Sequence, residues 1–263
     1  MQRNIKNFGG GVKKKKLLLG AILVVLFIAP NAFADTINGS GGWQLFPGAL
    51  DQSSPPHWDG SSTDGSELNI GYYLTKTGGF SGGTYENPGA IPFWGGNSSP
   101  EAGGTADKGF YFVKTAPSIT ASLRLEIGDN KGVNGFGWYN KANPGTLNQV
   151  FAGSDSPTTN KTFTIDQDVV NYGFYIKVNG LFYTTEGNPS DPNDFQHFAV
   201  FMEGSGDNPT YWIGMEDLTT NVDFDYNDMI VKIPPILPEP AAMLLLGSGL
   251  IGLAGFARRR FKK

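Results

Sequence analysis

Glu216, Asp217, Asp223, Asp225, Asn227 and Asp228 place five carboxylates and an amide within thirteen residues, with no Lys or Arg among them. Oxygen donors at this density suit a hard cation, and Ca²⁺ takes roughly six to eight oxygen ligands. Without a counter-ion the carboxylates repel one another. These six residues are therefore the expected Ca²⁺ ligands. The spacing is not that of an EF-hand. Counted from Asp223, the sixth position needs Gly and holds Asp228, and the twelfth needs Glu and holds Pro234. The competing arrangement is an Asx-rich turn whose carboxylates stay in water.

Catalytic chemistry finds little support. The chain has no Cys and two His, His57 and His197, which excludes thiol catalysis and Cys-based zinc sites. No G-x-S-x-G elbow is present, and His197 lies inside an apolar run, the setting of a packed histidine. Glu126, Glu186 and Glu203 are available for a glycosidase pair, but sequence does not fix their separation. No phosphate loop or dinucleotide fingerprint occurs in a strand–helix context. The expected protein is not an enzyme and has no catalytic residues.

Charge is distributed unevenly. Eleven of the 20 basic residues lie near the two ends, in Arg3–Lys16 and Arg258–Lys263. The part from Asp35 to Leu237 keeps nine basic residues against 23 acidic ones, a net charge of −14. Such a surface repels phosphates, so nucleic acid is not an expected partner.

The elements that must position the acidic cluster are strands. Thr210–Met215 and Met229–Ile233 are apolar runs on either side of it. In Ile119–Ile127 the residues Ile119, Ala121, Leu123, Leu125 and Ile127 alternate with Thr120, Ser122, Arg124 and Glu126, a half-buried strand with a wet face. Tyr172–Val178, the turn Asn179-Gly180 and Leu181–Thr185 read as a hairpin. Phe110–Val113, Phe136–Tyr139, Lys161–Ile165 and Phe195–Met202 extend the pattern, with weaker strand signals at Trp43–Phe46 and Leu68–Thr75. No middle segment shows a helical period. About ten short strands predict an all-β, antiparallel, jelly-roll-like sandwich. Trp43, Trp58, Tyr72, Tyr73, Phe93 and Trp94 would either pack in its core or form a glycan-stacking surface.

Both ends carry targeting features. Residues 1–34 read as a signal peptide: basic Lys13–Lys16, the apolar Leu17–Ala29, and Ala32-Phe33-Ala34 as the small-x-small site for a cut before Asp35. Thirteen apolar residues are short for a membrane span of about 20 residues. Residues 35–118 form a loop-rich part of the sandwich, and 119–233 the part with the acidic hairpin. Residues 234–240 are a stiff Pro-rich linker. Uncharged residues 241–257 predict a transmembrane helix in the inner membrane, with the basic tail 258–263 cytoplasmic.

Pro238-Glu239-Pro240, the Gly-rich apolar stretch and Arg258-Arg259-Arg260 together resemble a PEP-CTERM sorting signal. The resemblance implies a Gram-negative, polysaccharide-producing host and recognition by an exosortase, a membrane protease-transpeptidase. It also implies removal of the tail near Pro-Glu-Pro, with the mature protein at the cell surface or in the biofilm matrix.

The stretch from Ile119 to Ile233 is similar to an uncharacterised domain of bacterial surface proteins that ends in Gly-x-Glu-Asp and D-x-D-Y/F-N-D. Gly214, Glu216 and Asp217 match the first motif; Asp223, Asp225, Tyr226, Asn227 and Asp228 match the second. That resemblance implies calcium ligands at the acidic and Asn positions.

The expected function is that of an exported, exosortase-sorted, calcium-stabilised surface or matrix protein. The alternative is a lectin-like module binding extracellular polysaccharide or, further off, a polysaccharide-active enzyme.

Overall fold

The computed structural model describes residues 34–44, 68–80, 83–95, 109–128, 130–186, 196–205, 208–218, 225–235, 247, 249, 250, 252 and 253. The chain divides into two compact units, Met1–Asn31 and Ala32–Lys263. The first unit, with most of the expected signal peptide, lies outside the described residues. So do His57, Trp58, Asp223, Pro238–Pro240 and Arg258–Arg260. Of the expected transmembrane helix, Gly247, Gly249, Leu250, Gly252 and Leu253 are helical and the rest falls outside. Among the described residues no helix is long and apolar enough to cross a membrane.

The second unit is an antiparallel β-sandwich. One sheet runs β1 (Thr36–Gly39), β6 (Phe110–Val113), β11 (Asn171–Val178), β8 (Gly135–Asn140) and β9 (Asn143–Ala152), with β12 (Leu181–Thr184) also paired to β11. The other runs β10 (Asn160–Thr164), β7 (Ser118–Glu126), β15 (Met229–Ile233), β14 (Thr210–Met215), β13 (Phe198–Glu203), β5 (Phe93–Gly95) and β2 (Gly42–Gln44). A helix, α1 (Ile70–Thr75), precedes a short ribbon of β3 (Gly79–Phe80) and β4 (Gly83–Thr84). Strands from the loop-rich N-terminal part enter both sheets.

Aromatic rings fill the space between the sheets. Phe112, Phe136, Tyr172 and Phe174 of the first sheet meet Ile119, Leu123, Ile213 and Val231 of the second. Phe174 stacks on Phe136 at 5.0 Å and meets Phe112 edge-on at 5.1 Å. Such pairs add about 0.5–1.5 kcal/mol each beyond the area they bury. The second sheet is covered on its outer face as well, where Leu125, Phe201, Trp212 and Ile230 pack against α1. That double burial is why β13, β14 and β15 are apolar at nearly every position instead of alternating.

Helix α1 corrects the expected strand at Leu68–Thr75. The Asn69 side chain accepts a hydrogen bond from the Tyr72 N–H at 2.7 Å, capping the first turn. Ile70, Tyr73 and Leu74 then share one face and are buried. Six residues are too few for an independent helix, so tertiary burial decides its form.

The alternation in β7 also breaks where the sequence does not show it. Leu123 pairs with Val231 and Leu125 with Ile230, so Arg124 is an extra residue in a β-bulge. A one-residue offset exchanges the faces. Glu126, expected on the wet face, is 2% exposed, and Ile127, expected inside, is 38% exposed.

Strand β9 was not anticipated. It contains Pro144 and Gly145, residues that favour turns, and it is an edge strand, where Pro is tolerated. The hairpin at Asn179-Gly180 is present, with φ of 48° and 89°, the paired positive values of a tight two-residue turn. The described aromatics of the N-terminal part are packed. Tyr73 and Phe93 are buried, Trp43 stacks on Tyr211 at 6.1 Å, and Trp94 meets Trp43 edge-on at 5.4 Å.

Replacing Asn69 with Ala should lower the stability of the folded domain by about 1 kcal/mol through loss of the cap. A urea unfolding curve checks this, and an unchanged midpoint would mean that packing alone sets the helix start.

Candidate metal centre

Strands β14 and β15 are antiparallel neighbours, with Gly214 opposite Ile230. Residues just past the end of β14 therefore lie beside residues just before β15. This brings Glu216 and Asp217 to Asp228, and a single parallel bridge joins Met215 to Asn227. Gly214 permits the close approach, since a Cβ there would lie 2.5 Å from the Tyr226 carbonyl oxygen. Tyr226 itself takes φ of 53°, and its hydroxyl donates to the Gln196 carbonyl at 2.9 Å.

Glu216, Asp217 and Asp228 are 0%, 3% and 7% exposed, and each offers an oxygen within 4.8 Å of the others. At an effective dielectric constant of about 20, two unit charges this far apart repel by roughly 3 kcal/mol. Some of that is offset locally. The Asp217 N–H donates to Asp228 Oδ2 at 2.7 Å, and the Leu218 N–H donates to Glu216 Oε1 at 3.1 Å.

The connection between β7 and β8 completes the wall. Asn130 and Asn134 donate side-chain amides to Asp217 Oδ1 and Oδ2 at 2.9 and 2.8 Å. Asn134 is 1% exposed, and its Oδ1 has no hydrogen-bond partner among the described residues. Rotating that amide would present an oxygen to the cluster, where only a bound cation would satisfy it. Gly128 fits against the carboxylates because it has no side chain; a Cβ there would lie 2.3 Å from Asp228 Oδ1 and 2.7 Å from Asp217 Oδ2. The β11–β12 turn reaches the same loop through Asn179, which donates to Asn130 Oδ1 at 3.0 Å.

Glu126 faces this loop, accepting from the Gly132 N–H at 3.2 Å. Burial pushes its carboxyl above the ordinary value of 4.5, with Asp155 and Asp217 adding to the rise, while the Gly132 N–H and Lys131 oppose it. His197 is fully buried, stacked on Tyr183 at 3.8 Å, with Nδ1 2.8 Å from the Glu216 carbonyl oxygen. It packs behind Glu216 and fixes that residue's backbone.

The expected ligands thus separate. Glu216, Asp217 and Asp228 converge. Asp225 and Asn227 pair with each other, the Asn227 N–H donating to Asp225 Oδ1 at 3.1 Å and its side-chain amide to Oδ2. They form the Asx turn that was the competing reading of the sequence, although both are buried rather than in water. Asp223 lies outside the described residues. Glu126, Gly128, Asn130 and Asn134 were not among the expected site residues. Their sequence signal was the run Gly128–Gly135, which reads as a turn and nothing more.

Three buried carboxylates thus converge at one end of an exported antiparallel sandwich. Residues 139–234 match the domain of unknown function DUF4114, and residues 237–260 match the PEP-CTERM protein-sorting motif. The chain carries both, and the second makes it an exported protein sorted by an exosortase. Glu216, Asp217 and Asp228 fall inside the first match, whereas Glu126, Gly128, Asn130 and Asn134 precede it. No curated protein matches the chain. One solved structure, the Chromobacterium violaceum lectin CV2L in complex with alpha-methyl-fucoside, is similar over 49% of this chain and 96% of its own. Identity is 16% and the TM-score 0.32, a likeness too slight to carry an argument.

The raised Glu126 carboxyl sets a pH dependence. The folded state holds the proton to higher pH than the unfolded one, so the stabilisation is complete below about 4.5 and is lost as pH rises through the folded value. Without divalent cations, wild-type stability should fall relative to Glu126→Gln across this window. Urea midpoints measured from pH 4 upward check it; parallel curves would show that Glu126 holds no extra proton.

Proposed function

We propose that the exported sandwich is a calcium-stabilised, non-enzymatic protein of the cell surface or biofilm matrix. The supporting observation is the convergence of three buried carboxylates, Glu216, Asp217 and Asp228, within 4.8 Å. These residues would hold the ion, with Asn134 Oδ1 as a further donor. A bound Ca²⁺ would neutralise the carboxylates and tie the β14–β15 end to the loop leading into the opposite sheet. Because the unfolded chain scatters these donors, binding favours the folded state, by about 2.7 kcal/mol at one hundred times the dissociation constant.

Thermal melting of the purified protein in Ca²⁺ and in EGTA tests this. The midpoint should rise with Ca²⁺, and Asp217→Asn or Asp228→Asn should abolish the rise. Asp225→Asn should keep most of it, since that carboxylate is engaged by Asn227. Equal wild-type midpoints, together with no heat of Ca²⁺ binding in calorimetry, would rule the proposal out.

A second reading, binding of extracellular polysaccharide, draws on one observation. A concavity of about 230 Å³ is lined by Asn134, Gln149, Tyr175 and Lys177 with backbone from Gly132, Gly135 and Gly153. It lies below the roughly 300–1,000 Å³ of drug-sized sites, a size for one sugar residue of a chain. Burial pushes the Tyr175 hydroxyl up to about 12, so it stays a neutral hydrogen-bond donor. A glycan array probed in Ca²⁺ should show binding that weakens in Gln149→Ala and Lys177→Ala. A blank array would leave the structural role alone.

A further inference from the structure

Asp35 is a buried carboxylate that neither the metal cluster nor the concavity uses. It is 5% exposed, as is Ala34 before it. Oδ1 accepts from the Thr115 N–H at 2.6 Å, the Thr115 hydroxyl at 2.8 Å and the Ala116 N–H at 3.0 Å. Oδ2 accepts from the Tyr172 hydroxyl at 2.8 Å. The Asp35 carbonyl oxygen accepts from the Tyr211 hydroxyl, also at 2.8 Å. One residue thus joins the β6–β7 connection, β11 and β14, across both sheets. All four donors to its carboxylate are neutral, and no ion pair among the described residues includes it.

A buried charge with full hydrogen bonding but no counter-charge is costly. Processing at the expected leader site would supply that counter-charge. Ala32-Phe33-Ala34 is the small-x-small pattern for a cut before Asp35. Hydrolysis of the Ala34–Asp35 amide consumes one water, leaves a carboxylate on Ala34 and creates an ammonium on Asp35. That cation is on the same residue as the buried carboxylate. Access constrains the order of events. With Ala34 and Asp35 both buried, the bond is closed to a protease once the sandwich has formed.

We propose that Asp35 is the first residue of the mature protein, that the leader is removed before the sandwich closes, and that the new N-terminus docks as a clasp across the two sheets. Both tyrosine hydroxyls stay protonated in this socket. Burial, and then the Asp35 charge, raise Tyr172 and Tyr211 well above the ordinary value of 10.0. The proposal rests on the reading of residues 1–34 as a cleaved leader, and its test separates the two.

The full chain is produced in a Gram-negative host as wild type, Ala32→Glu, Thr115→Val and Asp35→Asn. Ala32→Glu blocks the cut while leaving Ala34, Asp35 and the socket unchanged. Mass spectrometry should place the wild-type N-terminus at Asp35; a terminus elsewhere, or a retained leader, overturns the leader reading and the proposal with it. Pulse proteolysis in urea then reads the open fraction. Uncut Ala32→Glu should be about tenfold more susceptible than wild type, the scale of losing one charged hydrogen-bond contact. Equal susceptibility, with the wild-type terminus at Asp35, overturns the clasp and leaves the leader intact. Asp35→Asn, compared with and without Ala32→Glu, should remove the difference between cut and uncut forms. If it does not fold, Thr115→Val, which deletes one donor, should shrink that difference, and an unchanged difference would count against the proposal.

Discussion

Three carboxylates held out of water at the open end of β14 and β15 are the constraint around which this domain is built. Burial makes each of them expensive, and proximity makes the group more so. Several otherwise unrelated features answer that constraint. Gly128 leaves room for the carboxylate oxygens, the amides of Asn130 and Asn134 turn toward Asp217, and the Asp217 N–H turns toward Asp228. The bulge at Arg124 brings a fourth carboxyl, Glu126, to the same loop, where burial favours its neutral form. The proposed cation would answer the same constraint by neutralising the three converging carboxylates.

Glycine positions elsewhere follow from a different contact. On β8 and β11, Gly137 lies opposite Tyr175 and Gly173 opposite Tyr139. A Cβ on Gly173 would sit 2.3 Å from the Tyr139 hydroxyl oxygen, and one on Gly137 would sit 2.6 Å from that of Tyr175. Each tyrosine lies across the bare backbone of the neighbouring strand. Gly137 and Gly173 are therefore packing devices within a sheet.

What was legible in the sequence was whatever depended on near neighbours. β14 and β15 have the expected limits because apolar runs and acidic flanks mark them, and the Asn179-Gly180 turn needs only its own backbone. The misses depended on distant partners. Helix α1 is short and owes its form to a cap and to the face of a sheet drawn from residues as distant as Ile230. The inward turn of Glu126 comes from a register offset against β15, invisible in the alternation of β7 alone. In the candidate site, Glu216, Asp217 and Asp228 carried a local signal. Asn130 and Asn134 did not, because they lie 87 and 83 residues from the carboxylate they hold.

Ala34 and Pro234 line one small cavity, so the chain enters and leaves the sandwich side by side. β15 carries five residues from there to the acidic cluster, a rise of roughly 16 Å. The described chain therefore leaves the sandwich, at Pro235, from the end of β15 opposite the carboxylates. Processing at that exit would act about one strand length away from the acidic end and leave its packing untouched.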